Sequence, residues 1–219
     1  MMDLNKIILA STNNGKKKEF ELALKGLPIV LENISDNFNC SEDGNSFFEN
    51  ALQKAQTAAR ITNSPSLADD SGLCVESLNG RPGLHSARYF GKGEGINKLL
   101  EELKNIKNRK AFFVCCLVLV SPTGEVIWHT EEKWQGTIAL KVNGEKGFGF
   151  DPIFIPIERE EQTAAELEAK DKESISHRGK AIAKFKEFLK IQLLNNQNEA
   201  HLTPLSESQT EQTTLSKHF

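Results

Sequence analysis

The sequence predicts an α/β fold in which helices cover a mixed β-sheet. Short apolar runs without alternation, such as residues 6–10, are typical of strands that are buried on both faces. Segments with apolar residues at helical spacing, such as residues 177–194, separate these runs. The turn Pro122-Thr123-Gly124 joins two long strand-like segments, which indicates an antiparallel hairpin in the same sheet.

Predicted strands and helices alternate in the first half of the chain. A helix over residues 16–25 ends before Pro28, which cannot continue it. The next helix begins after Ser46, because Ser46 and Glu49 have the spacing of a capping box, and it runs to Ile61. The predicted strands of this half are residues 6–10, 29–31, 66–68 and 73–76.

The second half contains the hairpin and ends in a polar tail. Its predicted strands are residues 111–120, 125–134 and 152–155, and its predicted helices are residues 95–106, a short helix capped by Thr163, and residues 177–194. Gln, Asn, Ser, Thr and Glu dominate residues 195–219, which hold few apolar side chains. We therefore expect one folded domain over residues 1–194 and a disordered tail over residues 195–219.

Charge and composition exclude several classes of protein. The 219-residue chain has a net charge of −3 and a pI near 6.0, so no overall basic field attracts nucleic acid. The longest apolar run, residues 111–120, is too short to span a bilayer, and the N-terminus has no targeting segment. The four cysteines lack metal-ligand spacing and are typical of a reducing compartment. We expect a soluble, cytoplasmic protein that binds neither nucleic acid nor membrane.

Two adjacent carboxylates, Asp69 and Asp70, follow the short apolar run at residues 66–68. Asp is depleted in strands, and Ser71-Gly72 comes next, so we interpret this point as a strand end. A turn that uses these side chains to bind backbone N–H groups is one explanation. Metal coordination with activation of water is the other. Strand alternation sends the two carboxylates to opposite faces unless the strand bends there.

A polar loop between a buried strand and a helix is a candidate phosphate cradle. It consists of Ser11, Thr12, Asn13, Asn14, Gly15 and Lys16. Backbone N–H groups and the dipole favour an anion at the start of a helix, and Lys16 adds a cation. The loop lacks a full Walker pattern, and an ordinary strand–helix turn explains it equally well.

A Gly–Phe segment is a candidate base pocket. Gly147 and Gly149 alternate with Phe148 and Phe150, and Asp151 follows. Glycines admit a close ligand, an aromatic ring offers a stacking face, and a carboxylate accepts hydrogen bonds. A tight bend with two core phenylalanines is the alternative.

Four further residues carry charge near these motifs. His177 and Arg178 follow Ser176, a candidate N-cap, where cations oppose the helix dipole. Either an anionic or polar ligand offsets them, or they are a surface pair at a frayed helix end. Lys54 has the helical spacing of Phe47, Ala51 and Ala58, so it borders their buried stripe and either extends to solvent or reaches a phosphate. Glu42 is either a solvated acid or a second metal ligand.

Together these segments resemble the inosine triphosphate pyrophosphatase family. The matching stretches occur in the family's order, and they are residues 10–16, 48–51, 68–73, 82–83, 86–89, 147–154 and 176–179. The resemblance implies an elongated mixed sheet flanked by helices, with an active-site cleft between two lobes, and a homodimer. It also implies Mg²⁺-dependent hydrolysis of ITP, dITP and XTP to the monophosphate and pyrophosphate.

The resemblance assigns a role to each candidate residue. Asp70 is implied as the general base and a metal ligand, with Asp69 and Glu42 as further ligands of Mg²⁺. Lys54 joins the loop of residues 11–16 on the triphosphate. The implied nucleotide-binding residues are Ser71, Phe148, Gly149, Phe150, Asp151, Lys172, His177 and Arg178.

Three functions remain open from the sequence. The first is the pyrophosphatase of non-standard purine nucleotides, whose selectivity we expect from donors such as His177 at a 6-carbonyl. The second is a pyrophosphatase for pyrimidine or modified nucleotides on the related fold of the septum-inhibitor type. The third is a non-catalytic nucleotide sensor that uses the polar tail to dock, which the presence of Asp70, Lys16 and Arg178 counts against.

Overall fold

The computed structural model describes residues 4–91 and 93–200 and confirms the mixed sheet. Six strands lie in the order β2-β1-β3-β4-β5-β6. Their ranges are β1 (Lys6–Leu9), β2 (Val30–Asn33), β3 (Ser66–Val75), β4 (Lys110–Val120), β5 (Val126–Ile138) and β6 (Phe154–Pro156). Strand β1 runs parallel to β2 and β3, whereas β4, β5 and β6 follow as antiparallel neighbours.

Six helices flank the sheet. They are α1 (Asn14–Leu24), α2 (Phe47–Thr62), α3 (Ser86–Phe90), α4 (Gly95–Glu102), α5 (Ala169–Ile175) and α6 (His177–Ala200). The short helices α3 and α5 have no counterpart in the sequence-based prediction, because neither is long enough to show a helical period. Among the described residues, no helix is long and apolar enough to cross a membrane.

The predicted strand end at Asp69 and Asp70 is wrong, because β3 continues through both residues. All ten residues from Ser66 to Val75 pair with β4, so the ladder continues through Asp69 and Asp70. The prediction was wrong because the apolar partner strand is more than 40 residues away in sequence and its pairing overrides the local turn signal. Gly72 serves close packing instead of a turn, since a Cβ there would lie 2.2 Å from the carbonyl oxygen of Gly83.

Other boundaries differ by a few residues. Strand β5 extends to Ile138, helix α4 ends at Glu102, and the capping box of Thr163 lies on a 3-10 turn over Ala164–Glu166. Helix α6 continues to Ala200, past the predicted end at residue 194. Residues 201–219 lie outside the described part of the chain, so the disordered tail stays a prediction.

Packed cores lie on either side of the aspartate pair. Leu67 belongs to a core in which α1 and α6 contribute Phe20 and Phe185. The four alanines of α2 are fully buried on the opposite face of the sheet, where their small size lets the helix approach closely. Leu73, only six residues after Leu67, belongs to another core, which includes Trp134. Asp69 and Asp70 therefore lie where the two halves of the fold meet.

Candidate active site

A cavity of about 660 Å³ opens over the middle of β3, between the two halves of the fold. The predicted site residues line it with two exceptions, Asn14 and Gly15. The sequence-predicted residues that line it are Ser11, Thr12, Asn13, Lys16, Glu42, Lys54, Asp69, Asp70, Ser71, Phe148, Gly149, Phe150, Asp151, Lys172, His177 and Arg178. The fold thus gathers motifs that are up to 167 residues apart in sequence, from Ser11 to Arg178.

The candidate phosphate loop leads directly into α1, whose first residue is Asn14. Asn13 is the N-cap, and its Oδ1 accepts a hydrogen bond of 3.1 Å from the backbone N–H of Lys16. Ser11 Oγ accepts one of 3.3 Å from the N–H of Asn13. Side chains therefore shape the loop, while the helix dipole directs positive potential into the cavity.

Asp69 is the counter-ion of two cations. Its Oδ2 accepts from Arg178 Nε over 2.8 Å, and its Oδ1 accepts from Lys16 Nζ and, over 3.0 Å, from Ser71 Oγ. Burial alone would raise the pKa of this carboxyl, but the charges of Arg178 and Lys16 hold it well below its usual range. Both oxygens are occupied and the side chain is fully buried, and the metal-ligand role of Asp69 stays a prediction.

Asp70 faces the opposite side of the sheet, as strand alternation predicts, yet it still lines the cavity. Its Oδ1 accepts from Lys54 Nζ over 3.0 Å, and its Oδ2 accepts from Asn50 Nδ2 over 3.2 Å. Burial raises the pKa of Asp70 in spite of the nearby charge of Lys54. A carboxyl with a raised pKa is a better proton acceptor than an ordinary one.

Lys54 bridges two carboxylates. Its Nζ also lies 2.7 Å from Glu42 Oε1, on the loop before α2. Burial would lower the pKa of Lys54, but Asp70 and Glu42 raise it. The same ammonium group lowers the pKa of Glu42, against the effect of burial. Lys54 therefore neither extends to solvent nor stands free for a phosphate in this state, and it holds Glu42 and Asp70 on one side of the cavity.

The Gly–Phe segment combines a ring with a buried carboxylate. Asp151 Oδ2 accepts from the backbone N–H of Phe148 over 2.8 Å and from Lys172 Nζ over 2.7 Å. Burial raises the pKa of Asp151 against the charge of Lys172. The ring of Phe148 packs over Gly15, where a Cβ would approach its Cδ1 to 2.6 Å. Phe150 is 4% exposed and packs mainly into the apolar core, so it contributes little stacking surface.

His177 is a buried, neutral imidazole at the edge of the cavity. It stacks on Phe113 at 4.7 Å between ring centroids. Burial lowers its pKa well below the usual value, and the charges of Arg178 and Lys172 lower it further. Within the described part of the chain, no group partners its Nδ1. A neutral imidazole can donate one hydrogen bond and accept one, which suits the edge of a base.

The sequence prediction missed two residues that organise the site. Glu19, on α1, accepts from Lys172 Nζ over 2.8 Å and from Arg178 Nη1 over 2.5 Å. Glu19 and Asp69 together offset the charge of Arg178 at the start of α6. Ser176 is the N-cap of this helix, as predicted, because its Oγ accepts from the N–H of Gly179. Asn50, on α2, is the other. Glu19 carries no local signal, because its partners are 153 and 159 residues away in sequence. Asn50 lies within the matching stretch 48–51, but its bond to Asp70 spans 20 residues and has no local signature.

Across residues 4–91 and 93–200, no group of three His, Cys, Asp or Glu side chains is arranged to hold a metal ion. Asp70 and Glu42 face each other across the ammonium group of Lys54, as Asp151 and Glu19 do across that of Lys172.

The mixed sheet and the cavity over β3 define an α/β protein with a cleft lined by paired acids and cations. The chain belongs to the Ham1 family, whose family model matches residues 7–188. It is 45% identical over 193 residues to a dITP/XTP pyrophosphatase of Treponema denticola, covering 84% of this chain and 98% of that one. A dITP/XTP pyrophosphatase of Vibrio cholerae is 41% identical over 192 residues, covering 83% and 94%.

Solved structures have the same fold. A HAM1 protein from Coxiella burnetii superposes with a TM-score of 0.77 at 38% identity, over 87% of this chain and 99% of that one. The Ham1 protein of Staphylococcus aureus superposes with a TM-score of 0.75 at 38% identity, over 85% and 99%. The expected fold class is therefore confirmed.

Proposed function

We propose that this protein hydrolyses non-standard purine nucleoside triphosphates, namely ITP, dITP and XTP, to the monophosphate and pyrophosphate. The observation that carries this proposal is the position of Asp70 in a cavity that Lys16, Lys54, Lys172 and Arg178 also line. The names of the relatives support the substrate class.

The charge of the cavity supports the entry of a divalent cation with the substrate. Its four cations are Lys16, Lys54, Lys172 and Arg178, and five carboxylates contact them: Glu19, Glu42, Asp69, Asp70 and Asp151. A triphosphate adds about four negative charges, which these already paired cations do not neutralise. A bound cation would offset part of that charge.

Asp70 and Glu42 fit Mg²⁺. The ion takes one or two protein carboxylates together with substrate phosphates and water, and these are two carboxylates held on one side of the cavity. Mg²⁺ would supply charge neutralisation on the phosphates. Lys54, released from the two carboxylates, would then be free to contact a phosphate oxygen.

Asp70 is the proposed general base. It takes a proton from a water molecule, which attacks the α-phosphorus as the bond to the α–β bridging oxygen breaks and pyrophosphate leaves. The loop of residues 11–16 and Lys172 hold the phosphates and orient them for in-line attack. Arg178 is placed to stabilise negative charge from its position beside Ser71, to which it donates over 2.8 Å.

Base selectivity is proposed to come from His177 and its neighbours. A 6-carbonyl accepts a hydrogen bond from a donor at the cavity edge, whereas the 6-amino group of adenine would leave that donor unpaired. Guanine has the same 6-carbonyl, so the expected rejection of GTP requires a separate contact at the 2-position of the base. A buried imidazole whose Nδ1 has no partner among the described residues is suited to this role.

A phosphate-release assay with added inorganic pyrophosphatase tests this function. Turnover of ITP, dITP and XTP far above that of ATP and GTP is expected, with loss of turnover when EDTA removes Mg²⁺. Equal rates on all nucleotides, or preferred turnover of pyrimidine nucleotides, would contradict the proposal.

A homodimer in the cytoplasm belongs to the same proposal. Leu140 and Ile157 are 82% and 74% exposed, and they are the large apolar side chains that gain most from burial by a second copy. Light scattering on the purified protein is expected to give twice the mass of one chain, and the mass of a single chain would contradict it.

A further inference from the structure

The side-chain amide of Asn50 connects the two carboxylates that face each other across Lys54. Its Nδ2 donates to Asp70 Oδ2 over 3.2 Å, and its Oδ1 accepts from the backbone N–H of Gly44 over 2.8 Å. Gly44 is two residues after Glu42 in the same loop. One amide thus ties the strand that carries Asp70 to the loop that carries Glu42.

The orientation of this amide is determined by its partners. The N–H of Gly44 can only donate, so the oxygen of Asn50 faces it and the NH₂ group faces Asp70. Asn50 is 1% exposed, so water does not replace either bond. A buried amide with both ends satisfied holds one rotamer, and it holds the carboxylate of Asp70 with it.

The loop is packed closely against the start of α2 around the same bond. A Cβ at Gly44 would lie 2.8 Å from Asn50 Oδ1 and 2.7 Å from Glu49 Cβ. The next N–H, that of Asn45, donates to Glu49 Oε2 over 2.6 Å. The distance between Glu42 and α2 is therefore set by backbone contacts as well as by the amide.

We propose that Asn50 is a positioning residue that sets the separation and orientation of Glu42 and Asp70 without touching the substrate. It lies behind Asp70, outside the lining of the cavity. This inference rests on the proposed function, in which those two carboxylates hold Mg²⁺ and Asp70 accepts the proton. Residues that orient metal ligands commonly change metal affinity or activity about 10- to 100-fold when replaced.

Two variants of Asn50 separate its two bonds. Asn50→Leu removes both with little change in volume. Asn50→Asp keeps an oxygen for the N–H of Gly44 but removes the donor that faces Asp70. Gln53→Ala is the matched control, because Gln53 Nε2 donates to Asp43 Oδ1 over 3.0 Å and so anchors the same loop without reaching Asp70.

Steady-state kinetics with ITP at saturating Mg²⁺ give the first readout. Both Asn50 variants are expected to lower kcat about 10- to 100-fold with KM unchanged, whereas Gln53→Ala keeps wild-type kcat. Wild-type kcat in Asn50→Asp would overturn the proposal. The proposal would also be overturned if urea unfolding showed that the loss of activity equals the loss of folded protein. If Asn50→Leu does not fold, Asn50→Asp alone decides.

Binding of Mn²⁺ gives a second readout that needs no turnover. The free-ion EPR signal is followed during titration in the presence of α,β-methylene-ITP, which cannot be hydrolysed. Asn50→Leu is expected to bind Mn²⁺ about 10- to 100-fold more weakly than Gln53→Ala. Equal affinities would overturn the positioning role. Wild-type protein that turns over no nucleotide would instead contradict the proposed function, and the Mn²⁺ titration would still test Asn50.

Discussion

The guanidinium of Arg178 donates from Nε to Oδ2 of Asp69 over 2.8 Å, and both side chains are almost completely buried. The pair joins the start of α6 to the middle of β3. Burial would lower the pKa of Arg178, but Asp69 and Glu19 raise it well above its usual value. The two adjacent aspartates therefore differ in their partners: Asp69 contacts Arg178 and Lys16 and has a lowered pKa, whereas Asp70 contacts Lys54 and Asn50 and has a raised one.

Replacing the two aspartates should have opposite effects on stability. Asp69→Asn removes the carboxylate partner of Lys16 and leaves Arg178 with Glu19 alone, which is expected to lower the free energy of unfolding by up to about 3–5 kcal/mol. Asp70→Asn is expected to keep or raise stability while turnover is lost, because burial disfavours the charge that it removes. Urea unfolding followed by fluorescence of Trp128 and Trp134 measures both. Equal destabilisation by the two variants would contradict the division of roles.

Stability should fall as the pH drops below 6.5. The folded protein keeps His177 neutral because burial, Arg178 and Lys172 lower its pKa well below the usual 6.5. The unfolded chain binds a proton there near pH 6.5, so stability is lost at up to about 1.4 kcal/mol per pH unit on acidification. Asp69, with a lowered pKa, adds a loss only below about pH 4.

The variant His177→Asn isolates this contribution. Urea unfolding at pH 7.5, 6.5 and 5.5 is expected to show a smaller decrease for the variant than for the wild type. Parallel decreases in both proteins would mean that other groups cause the acid sensitivity.

Gly15→Ala should displace the ring of Phe148. The added Cβ would lie 2.6 Å from Cδ1 of that ring, so the side chain must move. Stacking of a base on an aromatic ring is worth about 1–3 kcal/mol, which predicts an increase in KM for ITP of about 5- to 100-fold. Ala favours the helix more than Gly does, so stability is expected to hold. Lys18→Ala, an exposed change on the same helix, is the control, and equal KM values in the two variants would contradict the role of Gly15.

Removal of residues 196–219 should leave catalysis unchanged. Within the described residues, the lining of the cavity ends at Arg178, and the family model ends at residue 188. The truncated protein is expected to keep kcat/KM for ITP within about twofold, since surface changes away from a site have small effects. A collapse of activity with intact folding would assign the tail to the site or to the dimer.

Local patterns in the sequence predicted the elements that carry the candidate residues, but not the hydrogen bonds and ion pairs between those residues. The strand–loop–helix at residues 6–16, the capping of α2 and the hairpin depend on neighbouring residues, and the structure has them all. Strand alternation also correctly separated Asp69 from Asp70. The partners that define their roles are distant in the chain: Arg178 is 109 residues from Asp69.

Glu19 and Asn50 were missed for the same reason, namely that their partners in the site are distant in the sequence. Glu19 is an unremarkable acid on a polar helix, and only the approach of α5 and α6 makes it a counter-ion. Asn50 lies in the first turn of α2, where polar residues are common, so its bond to Asp70 has no local signature. The continuous β3 likewise depends on β4, whose pairing no nearby residue indicates.

The most direct test of the central claim is the rate of pyrophosphate release from ITP, dITP, XTP, ATP and GTP by wild-type protein and by Asp70→Asn, with Mg²⁺ present. The account predicts rapid release from the first three by the wild type, little from ATP and GTP, and almost none from any nucleotide by the variant, which still binds ITP. Wild-type rates in Asp70→Asn, or equal rates on ATP and ITP, would contradict it.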